Sequence, residues 1–504
     1  MTAAPFEASA SDGGYWLVLA ILLPCSGILA ALALGGRNPE RIALGLMPVQ
    51  LLVALAIAAK VWSSGKPLIY DIGGWAPPLG IALRADGFSA VMLVTAALIM
   101  PAAGIFARKS FGAPPDGEET RTSFAFWILM LGLWTGLNVV FLGGDLFNLF
   151  VALEILTFTG VPLVCLDGRA ETLTAALRYL LFALLGSVLY LLGVGLLYGA
   201  YGTLDIALLS AAIRPEPAVW AAAALMTAGL LAKTALFPLH LWLPPAHANA
   251  PAAASAVLSA LVVKGSFFLV VRLWFSVLPA PPNGIPMAVL AALGSAAILF
   301  GSVLALRQAR LKLMIAYSTI AQIGYLFIMF PLALGGHPWS AGAWNGGLMQ
   351  TLSHALAKAA MFLCAGLIAE SIGHDRIAEM RGVARAVPMT MFAFGLAGLS
   401  LMGLPPSGGF AAKWLLIRSS VEAGQWFWAL VMLAGGLLAA GYVYRVLAPA
   451  LADGDVTVKS PPARSREAIA LALAIAAAAL GFAPPAFYDF LQIGRAGATA
   501  GGAP

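Results

Sequence analysis

The chain has 504 residues, of which 61% are hydrophobic and only 10% are charged, and its mean hydropathy is +0.92. A soluble domain carries roughly 25% charged residues, so this composition excludes a soluble globular protein and indicates a chain whose solvent is lipid. The net charge of +6 does not indicate a nucleic-acid partner, because most basic residues occupy alternate loops between apolar segments.

Apolar runs long enough to cross a bilayer, at about 20 residues each, follow one another along the chain. They predict an all-α polytopic membrane protein with about 14 transmembrane helices. The predicted spans are 14–34, 42–62, 86–107, 122–142, 145–166, 174–200, 218–247, 251–277, 284–306, 311–332, 345–369, 387–420, 425–444 and 467–489. The tail before the first span carries Glu7 and Asp12 rather than basic residues, so we expect that span to remain as a helix and not to be removed as a signal peptide.

Basic residues are distributed unevenly between the loops on the two sides. One set of alternate loops holds Arg37, Arg41, Arg108, Lys109, Arg121, Arg169, Arg178, Arg307, Arg310, Lys312, Arg376, Arg381, Arg385, Arg445, Lys459, Arg464 and Arg466. The opposite loops and helix ends hold Lys60, Lys66, Arg84, Arg214, Arg418 and Arg495. Because positive loops remain cytoplasmic, we expect a multi-pass protein of the bacterial cytoplasmic (inner) membrane with both termini on the outer side.

Cys25, Cys165 and Cys364 fall inside or at the ends of predicted helices and form no CxxC pair, so we interpret them as packing residues. The sequence contains no iron–sulfur, haem, nucleotide or flavin motif and no nucleophile–base constellation. Its histidines are too far apart for a metal site. We therefore expect no cofactor, no metal and no catalytic redox site in this chain.

Six charged residues remain inside the predicted helices: Lys233, Lys264, Arg272, Lys358, Lys413 and one acid, Glu154. A charge at the bilayer centre costs at least about 2.5–3.5 kcal/mol, so such groups should face a hydrated or paired interior. Arg272 lies near a helix end in LVVRLW, where it is expected to snorkel to the outer interface. We hypothesise that Glu154 and Lys233 form an electrostatic switch in a proton relay. A static ion pair that fastens two helices is the alternative.

Two predicted helices contain prolines beside a buried lysine. Pro238, Pro244 and Pro245 follow Lys233, and Pro405 and Pro406 precede Lys413. Proline interrupts the backbone ladder, and irregular backbone at membrane depth is tolerated only where it is buried or lines a cavity. Broken helices 7 and 12 therefore predict hydrated sites and two inverted five-helix repeats, helices 4–8 and 9–13.

Polar residues cluster near the same depth. They are His240 and His247 beside the first break, Tyr317, Ser318, Thr319 and Gln322 in AYSTIAQIGY, and His354 in SHALAKAAMF. The i, i+4 spacing places His354 and Lys358 on one helix face, and histidine suits a proton relay near neutral pH. Simple hydrogen bonding is the alternative for these histidines, and for His247 the two readings are equally weighted.

These motifs resemble a known family. LLAKTALFPLHLWLPPAHANAP, LKLMIAYSTIAQIGY, SHALAKAAMFLCAG and GLPPSGGFAAKW are similar to antiporter-like subunits shared by proton-pumping NADH–quinone oxidoreductases, membrane-bound hydrogenases and Mrp-type cation/proton antiporters. The resemblance covers roughly residues 70–450. DLFNLFVALEIL and YDIGGWAPPLGIALRADGFSA look most like the D-type subunit of the Mrp antiporter.

The resemblance implies a path of buried groups joined by water. Its members at matching positions are Glu154, Lys233, Lys264, His354, Lys358 and Lys413. Lys413 argues against the respiratory subtype that carries glutamate there. Pro245 stands where an acidic residue commonly follows Trp-Leu-Pro, so no gate role is carried over to it. The resemblance also implies several companion membrane subunits.

The implied domain plan is helices 1–3 in residues 1–120, a first repeat in 121–280, a second repeat in 281–450, and a cytoplasmic loop, helix 14 and outer tail in 451–504. We expect a proton-conducting subunit of a Na+ (or other monovalent cation)/proton antiporter, surrounded by lipid. A proton-pumping subunit of an NADH–quinone oxidoreductase or membrane-bound hydrogenase is the main alternative. A membrane anchor for a soluble enzyme is a third reading, which does not require the buried charges.

Overall fold

A computed structural model describes residues 11–112, 120–281, 283–454 and 456–495. Residues 1–10, which include Glu7, and 496–504 lie outside this description, as do 113–119, 282 and 455. Because lipid offers no hydrogen bonds, a spanning segment must pair its own backbone, and apolar runs therefore fold as helices. Within the described residues, thirteen helices are long and apolar enough to cross a membrane.

The helices of the first half are α1 (Tyr15–Leu34), α2 (Asn38–Ser64), α3 (Gly87–Phe111), α4 (Arg121–Leu142), α5 (Leu146–Val164), α6 (Ala170–Tyr201), α7 (Ile206–Ala212), α8 (Pro217–Thr234), α9 (Leu243–Asn249), α10 (Ala252–Val257) and α11 (Val263–Arg272). A π-helical turn, Leu258–Val262, joins α10 to α11, and a second π-helical turn, Leu273–Val277, extends α11, so that one span covers Ala252–Val277.

The helices of the second half are α12 (Ile285–Arg307), α13 (Leu311–Phe327), α14 (Phe330–Ala333), α15 (Ser340–Ile372), α16 (Val383–Ala386), α17 (Pro388–Met402), α18 (Gly408–Glu422), α19 (Trp426–Leu451), α20 (Arg464–Ala479) and α21 (Pro485–Gln492). A hairpin of β1 (Leu68–Asp71) and β2 (Ala82–Ala85) lies between α2 and α3. Its strands are antiparallel, with Leu68 opposite Ala85.

The predicted breaks in helices 7 and 12 are confirmed. The span predicted at 218–247 ends at Thr234 and resumes at α9, and the span predicted at 387–420 consists of α17 and α18. Helices 4–8 and helices 9–13 thus each comprise three unbroken spans, one broken span and another unbroken span. Equivalent spans are five crossings apart, an odd number, so they run in opposite directions, as inverted repeats require.

Several predicted boundaries are wrong by more than a turn. The span predicted at 345–369 begins at Ser340, and the one predicted at 425–444 continues to Leu451. The last predicted span, 467–489, is two helices, because Pro484 and Pro485 interrupt the chain after α20. Arg466 was predicted in a loop but lies in the first turn of α20, where it binds the carboxylate of Glu370.

The most buried helices lie at the centre of the molecule. The span Ala252–Val277 is buried along its length, and α13 and α15 are buried nearly as completely. By contrast, α1, α2, α6 and α12 expose rows of leucine and other apolar side chains. Lys264 and Lys358 project from central helices, so neither side chain can reach lipid or bulk water.

Candidate functional site

The predicted pair between Glu154 and Lys233 is present. Glu154 lies near the middle of α5, and Lys233 lies in the last turn of α8, with their charged atoms 3.6 Å apart. Lys233 Nζ also donates hydrogen bonds to Thr157 Oγ1 at 2.8 Å and to the Leu153 carbonyl at 3.3 Å. The carboxylate of Glu154 accepts a hydrogen bond from the hydroxyl of Ser187 on α6. Both charged groups therefore have neutral partners of their own.

The break after Lys233 is a turn with a defined backbone. Ala235 adopts a left-handed conformation, with φ of 58°, and caps α8. Trp242 donates to the Ala232 carbonyl at 2.9 Å and stacks on Tyr179, which closes the turn. Pro238 lies within the turn, whereas Pro244 and Pro245 occupy the first turn of α9, where a missing N–H is not required.

Lys264 is fully buried, and its Nζ donates to the carbonyl of Ser259 at 2.5 Å. That carbonyl is accessible because the preceding π turn shifts the backbone ladder: the N–H of Val263 donates to Leu258, five residues back. A π turn of this kind frequently marks a functional position in a helix. The sequence placed Lys264 at depth but did not indicate this partner.

Lys358 and His354 lie one turn apart on α15. Lys358 Nζ donates to the Ile315 carbonyl at 2.9 Å and to the hydroxyl of Ser318, both on α13. Both ring nitrogens of His354 are buried and lack a hydrogen-bonding partner among the described residues. A buried polar atom normally has a partner, so each ring nitrogen of His354 keeps the capacity for one further hydrogen bond.

His247 and His240 occupy different surroundings. His247, on α9, is buried with both ring nitrogens unpartnered among the described residues, and its ring lies 5.2 Å from that of Phe362 on α15. It therefore faces the helix that carries Lys358. His240 lies within the break and packs against the rings of Phe237 and Phe300. Of the two, only His247 approaches the central lysines.

Lys413 lies beside the second break, where α17 ends at Met402 and Gly403 caps it. Its Nζ donates to the carbonyls of Leu401 at 2.6 Å and Met402 at 3.3 Å, and lies 4.2 Å from the centre of the Tyr325 ring. These carbonyls are at the end of a helix, where no N–H of the next turn takes them. The break thus supplies the groups that hold the buried ammonium.

A chain of amides leads from α15 towards Lys413. Gln350 Nε2 donates to Gln322 Oε1 at 3.0 Å, and Gln322 Nε2 donates to the Leu401 carbonyl at 3.0 Å. The sequence predicted Gln322 but missed Gln350, although Gln350 precedes His354 by one helical turn and shares its face with Lys358. That spacing was the available signal.

Four further polar partners were missed by sequence reasoning. They are Thr157 and Ser187 near Lys233, Ser259 near Lys264 and Tyr442 near Gln322. Threonine and serine are common in membrane helices, so Thr157, Ser187 and Ser259 do not stand out by residue type, and only the contact with a charged residue distinguishes them. Tyr442 is distinguished by its hydrogen bond with the Gln322 amide.

The expectation that Arg272 snorkels to the interface is wrong. Its guanidinium binds both carboxylate oxygens of Asp86 and the hydroxyl of Ser89 at 2.9 Å, and only 12% of the side chain is exposed. Asp86 caps α3, and burial acts to raise the pKa of its carboxyl. The charge and hydrogen bonds of Arg272 outweigh burial, so the pKa lies below its ordinary value.

The three cysteines are free thiols; Cys364 is buried, and Cys25 and Cys165 are partly buried. Within the described ranges, no three histidine, cysteine or acidic side chains are grouped so that they could hold a metal ion. The described charges inside the membrane instead form separate contacts along α5, α8, α11, α15 and α18.

Comparison with known proteins identifies the family. Residues 143–439 match the family model described as NADH:quinone oxidoreductase/Mrp antiporter, transmembrane. The chain is 38% identical over 415 residues to NADH-quinone oxidoreductase subunit N of Desulforudis audaxviator, covering 82% of this chain and 80% of that protein. It is 29% identical over 427 residues to the D-type subunit of the Na(+)/H(+) antiporter of Alkalihalophilus pseudofirmus, covering 84% of each.

Solved structures agree with this result. A chain of the Mrp complex from Dietzia sp. DQ12-45-1b superimposes with a TM-score of 0.86 at 25% identity, covering 95% of this chain and 96% of that one. A chain of the membrane-bound sulfane sulfur reductase, an archaeal respiratory complex, also gives 0.86 at 27% identity, covering 96% of each. The protein therefore belongs to the NADH:quinone oxidoreductase/Mrp antiporter family, as an antiporter-like membrane subunit of the kind found in Mrp and respiratory complexes.

Proposed function

We propose that this chain is the proton-conducting subunit of a multi-subunit monovalent cation/proton antiporter, with Na+ as the leading candidate cation. The observation that carries the proposal is the contact between Glu154 and Lys233 at the break that ends α8. A charge pair beside interrupted backbone is where a membrane protein can hold water and change protonation. The similarity to the D-type subunit of a Na(+)/H(+) antiporter supports Na+ and protons as the exchanged ions.

The path we propose begins at Glu154 and Lys233, continues through Lys264 to His354 and Lys358, and ends at Lys413. Side chains that support it are His240, His247, Ser318, Thr319 and Gln322. The breaks at Pro238, Pro244, Pro405 and Pro406 lie beside Lys233 and Lys413, and the second break supplies the carbonyls that bind Lys413. Every lysine on this path donates to a main-chain carbonyl. A neutral amine can keep that bond, so the side chain stays in place when its proton leaves.

The same proposal includes the domain plan given above. It also places the chain in the lipid of the cytoplasmic membrane, with both termini on the outer side. Lipid contact is supported by the apolar side chains that α2, α6 and α12 expose. Companion subunits are supported by the multi-subunit complexes in which the similar chains were solved.

A redox-driven role is the second candidate. It is favoured by the 38% identity with an NADH-quinone oxidoreductase subunit N and by the likeness to a subunit of an archaeal respiratory complex. In that case the same buried groups would move protons, but redox partners in other subunits would supply the energy. A membrane anchor is disfavoured, because it has no use for buried lysines that cost free energy to insert.

The test is purification of the complex with its companion subunits and transport assays in inside-out vesicles. For an antiporter, Na+ or K+ added to the medium discharges a preformed pH gradient without a redox donor. The Glu154→Gln variant should lose this activity, whereas Glu422→Gln, which alters an exposed pair with Arg418, should retain it. A gradient that forms only with an electron donor would support the redox role, and full activity of Glu154→Gln would overturn the proposed path.

A further inference from the structure

Two buried hydroxyls meet where the first half of the path joins the second. Ser259, in the π turn before α11, lies with its Oγ 3.0 Å from Thr319 Oγ1 on α13, and either hydroxyl can be the donor. Both side chains are 0% exposed. Ser259 precedes Lys264 by five residues, and Thr319 faces the same α13 carbonyl as Lys358. This contact is therefore a direct polar connection between the surroundings of the two central lysines.

The same residues hold the lysines in place. Lys264 Nζ donates to the Ser259 carbonyl at 2.5 Å, and Lys358 Nζ donates to the Ile315 carbonyl at 2.9 Å. Thr319 Oγ1 lies 3.0 Å from that Ile315 carbonyl as well. Each hydroxyl is thus adjacent to the carbonyl at which a lysine is bound. Exchange of the carbonyl for the neighbouring hydroxyl would place each lysine on a group that can take up or donate a proton.

Carbonyl oxygens accept hydrogen bonds but carry no proton to pass on, whereas a hydroxyl both donates and accepts. Thr319 also has two acceptors, Ser259 Oγ and the Ile315 carbonyl. When Thr319 donates to Ile315, Ser259 donates to Thr319; when Thr319 donates to Ser259, the direction is reversed. The pair therefore has two hydrogen-bonded arrangements of opposite direction within an otherwise buried contact.

We propose that the hydroxyls of Ser259 and Thr319 form the bridge that passes a proton between Lys264 and Lys358. This inference rests on the proposed function. In the transfer, the Lys264 ammonium gives a proton to Ser259 Oγ, Ser259 gives its own proton to Thr319 Oγ1, and Thr319 gives its own to the neutral Lys358 amine. Three bonds to hydrogen break and three form, one proton moves, and rotation of the hydroxyls restores the starting arrangement.

The test uses the complete complex in vesicles, with cation-driven proton transport as the measured rate. Thr319→Val has nearly the same shape without the hydroxyl, and Thr319→Ser keeps the hydroxyl with less volume. We expect Ser259→Ala and Thr319→Val each to lower the rate about tenfold, as loss of a hydrogen bond from the transfer step implies. Thr319→Ser should restore most of the rate. The double variant should be no slower than the slower single variant, because both changes break the same bridge.

The control for a lost buried hydroxyl is Ser420→Ala. Ser420 is 0% exposed and donates within its own helix to the Leu416 carbonyl. It should transport at the unmodified rate, and all variants should assemble in equal amount on a native gel. If Thr319→Val and Thr319→Ser transported at equal rates, the hydroxyl would make no difference to the rate. Changes in packing alone would then explain the effect of substitution at Thr319, and the bridge would be overturned.

The Lys264→Met variant separates this inference from the proposed function. Loss of transport in Lys264→Met together with full rates in Ser259→Ala and Thr319→Val would overturn the bridge and leave the path intact. Full transport in Lys264→Met would overturn the path, and the bridge with it. Loss of transport in Lys264→Met, Ser259→Ala and Thr319→Val, with transport retained in Thr319→Ser, would support both the path and the bridge.

Discussion

Lys233 lies closer to the neutral hydroxyl of Thr157 than to the carboxylate of Glu154, which is one turn away on the same helix, α5. Its Nζ is 2.8 Å from Thr157 Oγ1 and 3.6 Å from Glu154 Oε1. The Leu153 carbonyl is a further partner at 3.3 Å. Glu154 in turn binds the Ser187 hydroxyl. Each charged group therefore has a neutral partner beside it to which it can turn, and this arrangement is compatible with the proposed switch.

Thr157→Val should slow transport. Valine keeps the shape of threonine but removes the oxygen that competes with Glu154 for Lys233, so the ammonium should settle on the carboxylate and release its proton less readily. We expect a rate about tenfold lower, equivalent to one hydrogen bond shifted in favour of the closed pair. The measurement is cation-driven proton transport in vesicles.

Thr174→Val provides the control for this change, because Thr174 is exposed on α6 and donates only within its own helix. Its transport rate should match that of the unmodified complex. A Thr157→Val rate equal to that of the control would show that Thr157 does not tune the pair.

Asp86→Asn should destabilise the fold. The carboxylate is 3% exposed and binds the Arg272 guanidinium through both oxygens. Removing one partner of a buried pair leaves the other charge uncompensated, which costs about 3–5 kcal/mol. Thermal unfolding of the purified protein in detergent at pH 7 should therefore show a lower midpoint. Asp12→Asn, which alters the exposed pair with Lys60, should leave the midpoint unchanged, and equal midpoints for the two variants would contradict the prediction.

The Asp86 pair should also make stability depend on acid. Burial acts to raise the pKa of this carboxyl, but Arg272 and Arg84 hold it below the ordinary value. As the pH falls, the Asp86 carboxyl takes up a proton in the unfolded chain before it does so in the folded protein. The stabilisation by the ionised carboxylate is therefore full above about pH 4 and is lost as the pH falls from there through the lower folded-state pKa. The difference in midpoint between the unmodified protein and Asp86→Asn should therefore shrink as the pH is lowered below about 4. A difference independent of pH would show that the carboxyl is not titrating.

The sequence predicted the charged residues in the middle of helices, because such residues are rare in lipid and need no contact information to recognise. It missed buried charges at helix ends, such as Asp86, Arg466 and Glu467. It also predicted both breaks from the prolines beside Lys233 and Lys413. Apart from Glu154 beside Lys233, it did not predict the partners of the lysines. The carbonyl that binds Lys358 is 43 residues away on another helix, and helix periodicity does not specify which carbonyl a neighbouring helix presents.

The partner of Arg272 was also not predicted, and for this residue the predicted surroundings were wrong. Its depth near a helix end favoured snorkelling, since a long side chain usually reaches the interface. Its partner, Asp86, lies 186 residues earlier in the chain, at the start of the span predicted at 86–107. Depth alone therefore cannot distinguish a snorkelling arginine from a paired one; the tertiary contact decides.

Gly229→Ala should disturb the helix that carries Lys233. A Cβ at Gly229 would lie 2.2 Å from the Gly186 carbonyl of α6, which is backbone and cannot turn aside. The helices α6 and α8 must then separate, and such overpacking typically costs about 1–3 kcal/mol. We expect a lower thermal midpoint and slower transport, since Lys233 follows one turn later. Gly195→Ala on α6, where a Cβ meets nothing within 4 Å, should change neither, and unaltered stability of Gly229→Ala would contradict the close helix contact.

Substitutions of Tyr325 test how Lys413, the last residue of the proposed path, is held in place. The Lys413 ammonium lies 4.2 Å from the centre of its ring, while the Tyr325 hydroxyl donates to the Met432 carbonyl at 3.1 Å. A cation over an aromatic face gains about 0.5–2 kcal/mol, and phenylalanine supplies that face as well as tyrosine does. Tyr325→Phe should therefore transport at nearly the unmodified rate, whereas Tyr325→Leu should be several-fold slower. Comparison of the two rates separates the ring from the hydroxyl: slow transport in both variants would assign the role to the hydrogen bond with Met432, and normal transport in both would show that the carbonyls of Leu401 and Met402 suffice to hold Lys413.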